Sequence, residues 1–254
     1  MSTFFEKIKY SIFPFLEFKK KNLSFLKKVY ISLNTLMMLT VISFISIYLF
    51  SSFFYSYRFK TKNITIYSNT NIADDEKFIH TLKDAEKTLK NNTLYNKNYA
   101  VQIYLVDSNL LYNFMATPFH MDTIAINILD YISIRNKDIE LSKNKYHALS
   151  KEIQHEVIHT LQAMKYGGWI QSKFTIPYWV SEGYAEYIEE NKLVHHNPKE
   201  FLDTNKERKN YTLYALMVKH AIEDLNKSID DLHLGKLNYN NLLSSIFKEY
   251  NITK

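Results

Sequence analysis

Two histidines four residues apart, with a glutamate beside the first, constrain this chain more than any other feature: His155-Glu156-Val157-Ile158-His159. The segment 146–165 around them reads as a helix, and residues four apart on a helix share a face. Both imidazoles can then point at one metal ion from one rigid element. Glu156 is turned one residue away from that face. Its carboxylate can stand beside the ion without ligating it, which is where a base must stand to take a proton from an activated water. The plainer alternative is a surface helix with two ordinary histidines. The flanks speak against it, because Ile153, Val157, Leu161 and Met164 recur on the helical period and give the helix a buried side.

A second segment supplies a third ligand. It runs Pro177-Tyr178-Trp179-Val180-Ser181-Glu182-Gly183-Tyr184-Ala185-Glu186-Tyr187. Pro177 suits a helix start. Glu182 and Glu186 are four apart and share a face, and Gly183 lets a neighbouring backbone or ligand come close. Two histidines and one carboxylate leave a tetrahedral zinc with an open fourth position, the catalytic arrangement rather than the structural one. Glu186, one turn on, is placed to accept a hydrogen bond from a ligand imidazole. The alternative for both acids is a solvated face continuing into Glu189 and Glu190, but Trp179, Gly183 and Ala185 are odd residues for such a face.

His155-Glu156-x-x-His159 followed by Trp179-x-x-Glu182-Gly183-x-Ala185-Glu186-Tyr187 resembles the gluzincin metallopeptidases. These include the thermolysin-like and aminopeptidase N-like enzymes and short bacterial peptidase-MA-like domains. The resemblance covers about residues 124–223. It implies an α+β, zincin-like domain with a small N-terminal sheet and a mainly helical C-terminal lobe. It implies one Zn2+ per chain on His155, His159 and Glu182, with Glu156 as general base and Glu186 behind a ligand. In aminopeptidase N-like members a Tyr hydroxyl stabilises the tetrahedral intermediate, and Tyr211 is the matching position. The family's glycine three residues further on is Tyr214 here, a departure that bears on that assignment.

The N-terminal region is a different kind of sequence. The chain carries a formal charge of +6, and its basic excess lies at or before Lys62. The remainder is close to neutral, which removes the support for nucleic acid as a partner. Residues 1–28 form a basic, aromatic segment with Lys19-Lys20-Lys21 and Lys27-Lys28, readable as an amphipathic stretch on an anionic membrane face or as a basic tail. Residues 29–57 contain no charge, and their centre, 36–54, is long enough to cross a bilayer. A cleaved signal peptide competes, but the leader is long and no small-x-small site follows. The expectation is an uncleaved transmembrane helix with the N-terminus cytoplasmic, by the positive-inside rule. With no cysteine in the chain, disulfides say nothing of the compartment.

Residues 58–254 are one domain's worth of chain. Strands are expected at 63–67, 99–106 and 123–128, and helices at 74–90, 146–165 and 210–224, with a closing helical segment at 230–250. The connection from Gly167-Gly168 to Glu182 reads as a long loop that walls a cleft. His195 and His196 read as part of an exposed loop, since adjacent helical residues do not face one another. The expected function is a membrane-anchored zinc peptidase acting on a peptide or protein substrate outside the cytoplasm. With no amine-binding motif before the zinc helix, it reads as an endopeptidase rather than an aminopeptidase. Two other readings stay open: an inactive zincin-like module tethered for binding, or a hydrolase of a non-peptide amide of the cell wall.

Overall fold

The structure is a computed structural model describing residues 25–116, 123–128, 130–189 and 208–249. The residues expected to form the basic leader up to 24, and His195 and His196, lie outside these. The chain divides into two compact units, Met1–Leu49 and Phe50–Lys254. In the first, Phe25–Phe50 forms one helix (α1) of 26 residues with Leu33, Leu36, Met37 and Leu39 exposed. It therefore starts earlier and stops sooner than the expected span of 29–57. Ser51–Phe54 is a 3-10 turn, and Tyr57 already belongs to a strand. Among the described residues no helix is both long and apolar enough to cross a membrane.

The second unit is α+β. A five-stranded mixed sheet has the order β1-β2-β3-β5-β4, with β1 Tyr57–Lys60, β2 Ile64–Ser68, β3 Val101–Val106, β4 Ala125–Ile128 and β5 Tyr131–Arg135. The parallel pairs β2–β3 and β3–β5 form its centre, and β1 and β4 join antiparallel at the edges. Alternation decides which face is covered. Ile64 and Ile66, Val101, Ile103 and Leu105, and Ile132 and Ile134 are buried in one core. The opposite face carries a row of tyrosines, Tyr67 stacked on Tyr104 at 4.9 Å and Tyr104 on Tyr131 at 6.2 Å. The register that opposes Tyr67 to Tyr104 places the first pair.

Helix α2 (Glu76–Lys90) connects β2 to β3. Asp75 caps it by accepting from Phe78 N–H, and Phe78, Leu82, Ala85 and Leu89 face the core. Short helices α3 (Asn109–Ala116) and α4 (Asn136–Glu140) flank β4 and β5 in the chain. Next comes α5 (Lys145–Lys165), whose Leu149, Ile153, Val157 and Leu161 enter the same core as α2. Asn144 caps its start through His147 N–H. Its end is set by Gly167 and Gly168 at φ 96° and 94°, a region side-chain-bearing residues avoid.

The connection expected as a long loop holds another helix, α6 (Trp169–Thr175). Pro177 then leads into α7 (Tyr178–Glu189), as its carbonyl accepts from Val180 and Ser181 N–H. Helix α8 (Arg208–Lys219) continues into a π-turn at His220–Asp224. The closing segment is two helices rather than one, α9 (Ile229–His233) and α10 (Tyr239–Glu249). Val180 and Ala185 of α7, Met217 of α8, Leu232 of α9 and Ile246 of α10 all join the core that the sheet begins. The sheet and helical lobe thus share one interior, and α5 runs between them.

Candidate metal centre

Two helices build the site. From α5 come His155, Glu156 and His159, and from α7 comes Glu182. Glu182 Oε2 lies 3.4 Å from His155 Nε2 and 3.5 Å from His159 Nε2. The three side chains are half-buried, and their donor atoms fall within 4.8 Å of one another. A tetrahedral zinc with bonds of about 2.0–2.1 Å has neighbouring ligand atoms about 3.3 Å apart. The two separations from Glu182 are close to that edge, so the donor set fits a zinc ion in chemistry and in the spacing of its carboxylate from each imidazole.

The far side of each ring is also engaged. His155 Nδ1 is 3.2 Å from Glu189 Oε2 and 3.8 Å from Glu186 Oε2. Glu189, not Glu186, is therefore the nearer acid behind this imidazole. The sequence had a signal for it, because Glu182, Glu186 and Glu189 stand at i, i+4 and i+7 on one helix face. Lys151 Nζ, one turn before His155, is 3.6 Å from the other Glu189 oxygen. His159 Nδ1 is 3.0 Å from Gln162 Oε1, a contact the motif does not announce.

The charges respond to this crowding. Burial pulls the His155 imidazole down, but the carboxylates of Glu182 and Glu189 outweigh it and hold it well above the usual histidine value. Burial pushes Glu182 up, and the two histidines overcome it, so the carboxyl lies well below the usual range. Glu189 is lowered in the same way, with burial outweighed by His155 and Lys151. Glu156 behaves oppositely. Burial raises its carboxyl, only partly countered by His159 and His155. Of these three acids only Glu156 is raised, the direction that brings a carboxylate closer to neutral pH.

Other elements frame the centre. Asn127 of β4 donates to Glu156 O at 2.8 Å and to Thr160 Oγ1 at 2.9 Å, fastening an edge strand to the motif helix. β4 pairs with β5 along one side, and among the described residues no strand pairs with the other. Gly183 explains why no larger residue follows Glu182. A Cβ there would lie 2.6 Å from the backbone C and O of Tyr214, so α7 and α8 meet backbone to backbone. That contact brings Tyr211 to the site, where its phenol feels the charges of Glu182 and Glu156. The Tyr211 hydroxyl is 2.7 Å from that of Tyr178, a partner sequence reasoning missed.

A second group, His220 with Asp224 and Glu249, also brings possible ligand atoms together. Both acids contact the same His220 nitrogen, at 2.9 and 3.1 Å, which suits an ion pair joining the π-turn to α10.

No family model, curated protein or solved structure matches this chain.

Proposed function

We propose that this chain is a membrane-anchored zinc metallopeptidase of the gluzincin type. Its second unit would be a zincin-like domain hydrolysing peptide bonds, as an endopeptidase rather than an aminopeptidase. The observation that carries this reading is the convergence of His155 Nε2, His159 Nε2 and Glu182 Oε2 beside the buried Glu156. A zinc ion held by these three supplies a Lewis acid that acidifies water and polarises a carbonyl.

The chain's own residues do the rest. The Glu156 carboxylate takes a proton from the attacking water and later gives it to the leaving amine. Glu189 fixes the His155 ring, and Gln162 fixes that of His159. The Tyr211 phenol, kept protonated by burial, turns its one hydrogen from Tyr178 to the carbonyl oxygen as negative charge gathers there. The open side of β4 offers backbone groups to an extended peptide.

The anchor reading rests on the uncharged run 29–57, which forms helix α1 through Phe50. Some of its side chains lie outside those described, so its full hydropathy is a property of the sequence. The basic residues before it place the N-terminus in the cytoplasm and the peptidase domain on the other side. Membrane fractionation and external protease digestion of intact cells test this placement. Full-length chain in the soluble fraction would end it.

The test of the chemistry is metal content and turnover of the full-length chain. Wild type should carry one zinc, His159→Ala little, and Glu156→Gln a full complement with no cleavage of unstructured protein. A folded wild-type chain that takes up no zinc would sink the reading.

A further inference from the structure

Gln162 is buried, with only 2 % of its surface exposed, and all four hydrogen-bonding positions of its amide are filled. Oε1 is 3.0 Å from His159 Nδ1 and 3.1 Å from Ser181 Oγ. Nε2 is 3.2 Å from the Ser181 carbonyl oxygen and 3.0 Å from His233 Nε2. An amide has two acceptor and two donor positions, so none is left over.

Two backbone carbonyls dictate the direction of every bond. The Ser181 carbonyl can only accept, so the atom facing it is the Gln162 NH2 group and the amide orientation is fixed. The Ile229 carbonyl, 2.8 Å from His233 Nδ1, can only accept as well. His233 therefore carries its hydrogen on Nδ1 and offers a bare Nε2 to the second Gln162 N–H. Gln162 Oε1 is left to receive hydrogens, from Ser181 Oγ and from His159 Nδ1. Ser181 Oγ, 3.3 Å from the same His159 nitrogen, lies beside that bond. His159 must then bear a hydrogen on Nδ1, which leaves Nε2 as the nitrogen that a metal ion can take.

We propose that Gln162 is the positioning residue of the metal centre and that His233 is its anchor, a role that rests on the metal reading of His155, His159 and Glu182. Gln162 touches no metal position itself. It sets the tautomer and orientation of one ligand and holds Ser181 by both its hydroxyl and its carbonyl. Ser181 immediately precedes Glu182, so one amide fixes the second histidine and registers the third ligand against α5. His233 has no exposed surface and is held by Tyr166, stacked at 4.8 Å, and by the edge of Tyr184 at 5.3 Å. Helix α9 thereby fixes geometry at a site to which it contributes no ligand.

The experiment is zinc affinity of the full-length chain, measured by chelator competition, together with the visible spectrum of the Co2+-loaded chain. Gln162→Met keeps the length and removes all four bonds. This variant should lose about 10- to 100-fold in zinc affinity, with an altered Co2+ spectrum. His233→Phe should lose affinity in the same way, and His233→Gln, which restores an acceptor near the Nε2 position, should recover most of it. A folded Gln162→Met chain with wild-type affinity and spectrum overturns the proposal. If that variant does not fold, equal affinities in the two His233 variants overturn it instead. A folded wild-type chain without zinc overturns the metal reading and this role with it, and is told apart because the wild type itself is empty.

Discussion

His155 Nδ1 meets Glu189 at 3.2 Å and Glu186 at 3.8 Å, so the closer carboxylate lies almost two helical turns beyond Glu182. A carboxylate that takes the outer N–H of a ligating histidine holds the ring and raises its basicity. Lys151 steadies Glu189 from its other oxygen. Glu189→Gln keeps an acceptor but loses the charge, and it should weaken zinc binding about 10-fold or more. Glu186→Gln should cost less. Zinc affinities of the two variants, measured side by side, decide the order. A larger loss in Glu186→Gln would move the orienting role to Glu186.

The site was legible where chemistry is encoded within one helix. The i, i+4 spacing of His155 and His159 and of Glu182 and Glu186 needed no knowledge of tertiary structure. That Glu182 comes within 3.4–3.5 Å of both histidines depends on α7 packing against both α5 and α8, which no local pattern expresses. Gln162 and His233 were illegible for the same reason, since their 71-residue separation closes only in the folded chain. Among strands, Val101–Val106 was plain, because Val101, Ile103 and Leu105 alternate. Tyr131–Arg135 alternates as well, Ile132 and Ile134 against Ser133 and Arg135, but at five residues it is too short to stand out. Tyr57–Lys60 is hidden as well, because its first residue is also the last of the uncharged run.

The opposed shifts of His155 and Glu182 make the metal-free protein pH-dependent. Glu182 is held below its usual 4.5, so its contribution to stability is present above that value and lost as pH falls through the lowered pKa. His155 is held above its usual 6.5, so its contribution is complete below that value and lost as pH rises through the raised pKa. Both act fully between about pH 4.5 and 6.5. Chelator-treated chain should therefore be most stable there and weaken toward alkaline pH. Thermal unfolding across pH should show this slope in wild type and a flatter one in His155→Gln. Zinc must displace the His155 proton, so its affinity should climb with pH. Identical slopes in wild type and variant would remove His155 as the source.

Gly183→Ala tests the backbone contact between α7 and α8. The new methyl would press on the Tyr214 carbonyl, which is main chain and cannot swing aside. Overpacking of this kind costs about 1–3 kcal/mol. The helices can only part, and Glu182, one residue before, would move with them. Thermal unfolding should fall by several degrees, and zinc affinity should fall too. Loss of stability with unchanged affinity would show that the Glu182 position survives a shift of its own helix.

Tyr211 gives the most direct test of the chemistry after Glu156. Burial, the bond to Tyr178 and the charges of Glu182 and Glu156 all push its phenol far above the usual tyrosine range. It therefore keeps its hydrogen at any working pH, and that single hydrogen would pass from Tyr178 to the oxyanion. On the proposed peptidase reading, that hydrogen bond would be worth little to a substrate carbonyl and much to the oxyanion, where charge gathers. Tyr211→Phe should accordingly lower kcat about 10²- to 10³-fold, with KM and zinc content close to wild type. Tyr178→Phe leaves the Tyr211 donor in place and removes only its 2.7 Å partner, so its effect should be much smaller. Equal losses in the two variants would mean that the pair of phenols acts as one unit. An unchanged kcat in Tyr211→Phe would assign the oxyanion to the metal side of the site alone.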